Sequence, residues 1–216
     1  MTRIAQVNWH VTPLSLPRPH RHCSTCGGPR PFRCSGKVRL NANGRRLDAW
    51  LIYKCTVCDR TWNLPLMDRV PVADLSPADL SALQTSDPAW VWPHALDLTA
   101  LRSHALQVVL PEDLAVDKRP QTDWTDGCSR VLVSIHAAWP TGLRLDRLLA
   151  AELGLSRSSL MALPGRGALR IVEGPRDALR MPLAGSVVLQ FDTDRIAESA
   201  RPGLIRALVW PPAPWP

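Results

Sequence analysis

The period of apolar and polar residues changes along the chain and divides it into segments. Over residues 32–40 apolar and polar positions alternate, as in a half-buried strand, and residues 45–53 read as a second strand. Asn43-Gly44 between them is a dipeptide suited to a tight hairpin turn with positive φ. Beyond Met67 the signals become those of helix starts. Ser76-Pro77 and Asp87-Pro88 each place a good cap before a proline at the first helical position, and Asp97 precedes Leu98, Leu101, Ala105 and Leu106 on one helical face. Two or three short helices are predicted, with Pro93 kinking or ending one and Trp90 and Trp92 filling the core beside the hairpin. Residues 111–128, holding Pro111, Pro120, Gly127 and several acids, are expected to be an exposed loop and the domain boundary.

The pattern turns apolar again over residues 131–136, a predicted strand. Thr141 is then placed to cap a helix whose inward positions are Leu145, Leu148, Leu149 and Leu153, with Gly154 ending it. Ser156 caps a second helix running to about Leu163, where Pro164-Gly165 stops it, and residues 169–172 and 186–191 are two further short strands. The order is helix, turn, helix, hairpin. The final Trp210-Pro-Pro-Ala-Pro-Trp-Pro is polyproline-like and expected to fray.

Composition limits the classes available. A hydrophobic fraction of 45% with 21% charged residues in 216 excludes a wholly disordered, collagenous or coiled-coil chain, and 21 prolines argue for short helices. No apolar run reaches the roughly 18–20 residues of a membrane-spanning helix, and residues 1–23 lack a signal-peptide core, so a cytoplasmic location with no membrane partner is expected. The net charge of +7 is unevenly spread: residues 1–66 carry +9, residues 67–140 carry −5 and residues 141–216 carry +3. A polyanion would be drawn to the first and last segments and repelled by the middle one.

In a reducing compartment six cysteines argue for metal or redox chemistry rather than disulfides. Cys23 with Cys26 and Cys55 with Cys58 are two Cys-x-x-Cys pairs 28 residues apart, and the predicted hairpin brings the second pair back beside the first. Two such turns complete a tetrahedral thiolate shell for Zn²⁺, and four protein ligands leave no open position, so the zinc would be structural. The alternative is a thiol redox pair, although no thioredoxin-like βαβ unit surrounds either motif. His20 and His22 lie near enough to replace a thiolate but read more simply as exposed residues on a Pro-rich lead-in. Cys34 and Cys128 fall in no ligand spacing and are expected to be small buried side chains.

Along the hairpin, Arg33, Lys37 and Arg39 share a face if the strand is unbroken, with Trp50, Tyr53 or Trp62 near for stacking. Such a basic stripe suits nucleic acid; the same residues also suit a solvated face with its aromatics packed over the cysteine turns. No phosphate-binding Gly-rich loop, nucleophile elbow or His-Glu-x-x-His pair is present, so neither catalysis nor a small-molecule substrate is predicted.

The run from Phe32 through Asn41-Ala-Asn-Gly44, then Asp48-Ala-Trp-Leu-Ile-Tyr53 and Cys55, closed by Cys58 and Trp62-Asn63, resembles an uncharacterised bacterial family catalogued as domain of unknown function 1062. That resemblance implies an architecture and no activity. Further on, Leu143-Arg-Leu-Asp-Arg-Leu-Leu149, Leu155-Ser-Arg157, residues 165–171 and Leu183-Ala-Gly-Ser-Val-Val-Leu189 resemble the RNA-binding domain named after ribosomal small-subunit protein four. The resemblance implies phosphate contacts from Arg144, Arg147 and Arg157, with Ser156 capping the second helix and Arg166 and Arg170 extending the patch. The expected fold is thus α+β: a zinc ribbon over 1–66, a helical connector and loop over 67–128, an RNA-binding-like domain over 129–195 and a Pro/Trp tail over 196–216. Its expected partner is structured RNA such as ribosomal or transfer RNA. A protein–protein or regulatory module using the same ribbon and the acidic connector is the alternative.

Overall fold

The computed structural model describes residues 3–122 and 128–210 and has the mixed α+β content expected. The chain forms two compact units, Ser15–Pro111 and a composite of Met1–Leu14 with Glu112–Pro216. The first is inserted in sequence into the second. This division does not follow the four consecutive stretches expected from composition, because the N-terminal 14 residues fold with the C-terminal half.

In the inserted unit, strands β2 (Arg18–Cys23), β3 (Gly28–Asn43), β4 (Arg46–Cys55), β5 (Thr61–Pro71) and β6 (Gln107–Val109) form one sheet in the order β5-β4-β3-β2-β6. Strand β4 alternates strictly, burying Leu47, Ala49, Leu51, Tyr53 and Cys55. The β3–β4 loop is Gly44-Arg45, flanked by the pair Asn43↔Arg46; Gly44 supplies the positive φ of 61°, as the first residue of a two-residue loop does when it is glycine. Helices α1 (Pro77–Thr85), α2 (Pro88–Ala95) and α3 (Leu98–His104) begin as predicted, with Ser76, Asp87 and Asp97 accepting N–H bonds from Asp79, Ala89, and Thr99 with Ala100. Their buried residues Val91, Ala95, Leu98 and Leu101 pack with Phe32, Leu51, Tyr53 and Leu64 of the sheet. Pro93 lies inside α2, and Trp90 and Trp92 are half-buried, with Trp90 against the core and stacked on His94.

In the composite unit, β1 (Arg3–Pro13), β7 (Leu114–Pro120), β8 (Cys128–Ala137), β9 (Leu169–Glu173) and β10 (Gly185–Asp192) are ordered β7-β1-β8-β10-β9, with β1 and β8 parallel and every other pair antiparallel. Odd positions of β1 point inward, so Val7, Trp9 and Val11 meet Val133, Ile135, Leu189 and Phe191 in the core. Helix α4 (Leu145–Glu152) buries Leu145, Leu148 and Leu149; helices α5 (Arg157–Ala162) and α6 (Arg201–Val209) add Leu160, Leu204 and Leu208. Each such leucine contributes about 1.5–3 kcal/mol of burial.

Four expectations are corrected. The lead-in is two strands, β1 and β2: Pro19 is in register with Val108 of β6, and Pro19 and Cys23 are buried while Arg18 and His22 are exposed. The loop expected over 111–128 holds β7, which pairs with β1 from Val7↔Pro120 to Pro13↔Leu114. Thr141 does not cap α4: its hydroxyl is buried and donates to the Leu183 carbonyl, leaving Arg144 at the cap position. The stretch 196–216 contains α6, while the polyproline-like residues 211–216 and Gly127 lie outside the described residues. Among the described residues no helix is long and apolar enough to cross a membrane.

Candidate metal centre and basic hollow

The cysteines come together because the two Cys-x-x-Cys turns repeat one backbone shape. The N–H of Gly27 donates to the Cys23 carbonyl and that of Asp59 to the Cys55 carbonyl, both at 3.0 Å. Each donor follows the second cysteine of its pair and is left-handed, with φ of 69° at Gly27 and 56° at Asp59. Pairing of Phe32 with Cys55 across β3 and β4, and of Cys23 with Gly28 across β2 and β3, sets the turns side by side.

The four Sγ atoms all lie within 4.8 Å of one another, with Cys23 and Cys58 at 3.5 Å. A tetrahedron with metal–sulfur bonds of about 2.3 Å has edges of about 3.8 Å, so the set is close to the size a metal requires. Cys23 and Cys55 are buried, and Cys26 and Cys58 half-buried. Electrostatics point the same way. The N–H of Cys26 and neighbouring thiols bring Cys23 down to about 7, while hydrogen bonding to Cys58 and burial push Cys26 up to about 12. Four sulfurs at this spacing cannot all carry charge unless a cation lies between them. Among the described residues this is the one cluster of three or more His, Cys, Asp or Glu ligands able to hold a metal, and His20 and His22 are outside it.

Other ribbon residues separate. Tyr53 is wholly buried and cannot stack on a ligand; its hydroxyl faces the Cys34 thiol, and burial pushes both groups up. Trp62 packs against Phe32, Tyr53 and His104 under the Arg21 guanidinium, 4.1 Å from its ring centroid. Strand β3 is interrupted between Cys34 and Val38, where Gly36 has a φ of 70°. Four residues there oppose a two-residue step of β4, and this even insertion keeps the parity, so Arg33, Lys37 and Arg39 all remain exposed. Arg33 pairs with Asp59 at 2.9 Å.

A second constellation lies in the composite unit. Residues 141–145 bond back to 181–183, through Thr141 N to Leu183 O and Leu145 N to Met181 O, and this brings Arg180 beside Arg144. Arg144, Arg157 and Arg180, with Asp146, Ser158 and Met161, line an open hollow of about 550 Å³. Asp146 is wholly buried and accepts from Arg144 Nε and Nη2 at 3.2 and 3.0 Å and from Arg157 Nε at 2.8 Å. Burial pushes its carboxyl up, but the Arg157 hydrogen bond and the two guanidinium charges outweigh that and hold it below the usual carboxylate range. Arg144 and Arg157 keep 36% and 50% of their side chains exposed, so donors remain free for a ligand. Arg147 stands apart, 3.7 Å from Glu112. The Ser156 hydroxyl is used in capping α5 and in bonds to Ser158 and Ser159, and Arg170 donates to Gln190.

Sequence reasoning missed Arg180, whose place depends on the pairing of Arg144 with Pro182, far along the chain, and the organising role of Asp146. The sequence signal for Asp146 covers only Arg144, two residues before it; its other partner, Arg157, is 11 residues away on the next helix, while Arg147, adjacent to Asp146 in sequence, turns to Glu112.

Both constellations fall partly within a family match: the model for a protein family of unknown function, DUF1062, matches residues 40–174. The chain belongs to that family. The matched stretch holds the second cysteine pair, α1 to α5 and β9, but not Cys23 or Cys26. No curated protein and no solved structure matches the chain.

Proposed function

We propose that the chain is a zinc-stabilised RNA-binding protein without catalytic activity. Zn²⁺ is the metal that four thiolates on two turns of this kind suit best, and it would act as a structural pin of a zinc ribbon. The sequence stretches that resemble the ribosomal-protein-four type of RNA-binding domain fall on α4, α5, β9 and β10, which supports this reading.

The observation that carries the reading is the hollow, where two guanidiniums hold one buried carboxylate and a third, that of Arg180, lines the same space. Asp146 fixes two arginines before any ligand arrives, which lowers the entropy lost on binding, and the group retains net positive charge. Phosphate oxygens are the complementary ligand for exposed, oriented guanidiniums. Exposed Arg147 and the ribbon stripe of Arg33, Lys37 and Arg39 would add sequence-independent phosphate contacts.

Fluorescence anisotropy with a structured RNA hairpin tests this. Replacing Arg144 and Arg157 together by Ala should weaken binding at least tenfold. It should also lower the slope of log K against log salt by about 0.7–0.9 for each phosphate that is no longer neutralised. Unchanged affinity and slope would remove the hollow from the site. Purified protein carrying a stoichiometric protein partner and no nucleic acid would favour the protein-interaction reading instead.

A further inference from the structure

Another cavity in the composite unit uses different residues of α5 and encloses about 430 Å³, within the range of small-molecule sites. Its walls are apolar, with Leu153, Leu155, Leu163, Ile196 and Leu204 contributing. Its room depends on small residues. Gly203 of α6, itself exposed, lines the cavity, and a Cβ built on it meets nothing within 4 Å.

Two guanidiniums, Arg166 and Arg195, also line this cavity. Arg195 is held from three sides: Nε lies 3.4 Å from Asp192 Oδ2, Nη1 donates to the Arg166 carbonyl at 3.4 Å, and the group occupies the space above Gly167. A Cβ on Gly167 would come within 2.8 Å of Nη1, and the glycine's φ of 68° disfavours a side chain as well. Asp192 pairs with Arg195, whereas Arg166 makes no ion pair among the described residues. The cavity therefore joins an apolar interior to a guanidinium pair that a single carboxylate leaves with positive charge.

We propose that this cavity binds a small amphipathic anion, a linear alkyl chain ending in carboxylate or phosphate, with the chain along the leucines and the head on Arg166 and Arg195. A neutral alcohol of equal length would gain the burial and lose the charge-assisted hydrogen bonds. A cationic amphiphile would be repelled. Arg166 also extends the basic patch of the RNA-binding resemblance, but the proposal uses neither the hollow of Arg144, Arg157 and Arg180 nor the ribbon stripe.

Isothermal titration of the metal-loaded full chain with octanoate, octyl phosphate and 1-octanol is the test. The expected result is one saturable site for at least one of the two anions, their relative affinity identifying the head group, with 1-octanol at least tenfold weaker. Joint replacement of Arg166 and Arg195 by Ala should bring the anions down to the level of the alcohol. Gly203→Leu projects into the open space while favouring helix, so this variant should stay folded by circular dichroism and lose binding. Absence of saturable binding by both anions to the folded wild type would overturn the proposal, as would wild-type affinity in a folded Gly203→Leu protein.

Discussion

The Nζ of Lys118 lies 2.7 Å from Oε2 of Glu152, with the lysine side chain completely enclosed and the glutamate 19% exposed. The same Nζ donates to the Ala207 carbonyl at 2.7 Å and sits 4.4 Å from the centroid of the Trp9 ring, whose indole N–H donates to Leu208 O at 2.9 Å. One buried cation thus ties β7 to α4, β1 and the last turn of α6, where its charge also suits the negative end of the helix.

Glu152→Gln would leave Lys118 buried with a carbonyl and a ring but no counter-charge. A loss of about 2–4 kcal/mol is expected, lowering the melting temperature by roughly 5–10 °C for a chain of this size. Lys118→Met combined with Glu152→Leu should recover most of that loss, since an apolar pair of similar volume needs no desolvation of charge. Chemical denaturation of Lys118→Met, Glu152→Leu and the double variant closes the cycle, with Glu152→Gln measured beside it. Wild-type stability in Glu152→Gln would show that the pair does not hold this junction.

The equivalent left-handed residues after the two cysteine turns predict an asymmetric tolerance. Gly27→Val should cost about 1–2 kcal/mol, because a β-branched residue is poorly accommodated at a φ of 69°. Asp59→Gly should be near neutral, with relief at a φ of 56° offset by loss of the exposed Arg33 pair, itself worth about 0–1 kcal/mol. Denaturation of the metal-loaded variants measures both. An equal, large loss in the two would mean that the turns are held by the metal alone.

What the sequence disclosed follows from the range of the interactions involved. Caps at Ser76, Asp87, Asp97 and Ser156 act within three residues and were readable, as were the Cys-x-x-Cys turns and the end of α4 at Gly154, whose φ is 63°. Strand β1 alternates as plainly as β4, yet its partners Val116 and Val133 are more than 100 residues away, and alternation does not name a partner. Strand β7 was hidden by Asp117, Lys118 and Pro120, a loop-like composition made compatible with a sheet because Lys118 finds its counter-charge inside and Pro120 ends the strand. The hollow was half legible: Arg144 and Arg157 could be named, but Arg180 joins them through tertiary pairing.

Asp146 should leave a signature in acid. Its carboxyl sits lower in the folded chain than in the unfolded one, so its stabilisation is complete above the unfolded value of about 3.8 and is lost as pH falls through the lower native value. Asp146→Asn should therefore destabilise the protein at pH 7 and flatten its stability–pH curve below about pH 4. It should also loosen Arg144 and Arg157 and weaken RNA binding although a negative charge has been removed. Urea midpoints from pH 2.5 to 7 and anisotropy at pH 7 supply the two readouts. Tighter RNA binding by Asp146→Asn would mean that the carboxylate opposes the ligand rather than orienting the arginines.

The thiols separate a metal centre from a redox pair. In the metal-loaded chain Cys23, Cys26, Cys55 and Cys58 should resist alkylation, and Cys34 should react slowly at pH 8 because burial pushes its thiol up. Metal analysis should return one zinc per chain. Chelation should then expose the four ligands together and destabilise the inserted unit, since Cys23 and Cys55 belong to the same buried cluster as Phe32, Leu51 and Tyr53. Cys55→Ser should have the same consequence without a chelator, lowering zinc content and increasing proteolysis within residues 15–111 while a fragment holding β8, α4 and α5 survives longer. Metal-free protein in which all four thiols titrate as two reversible disulfides would replace the structural site with redox chemistry.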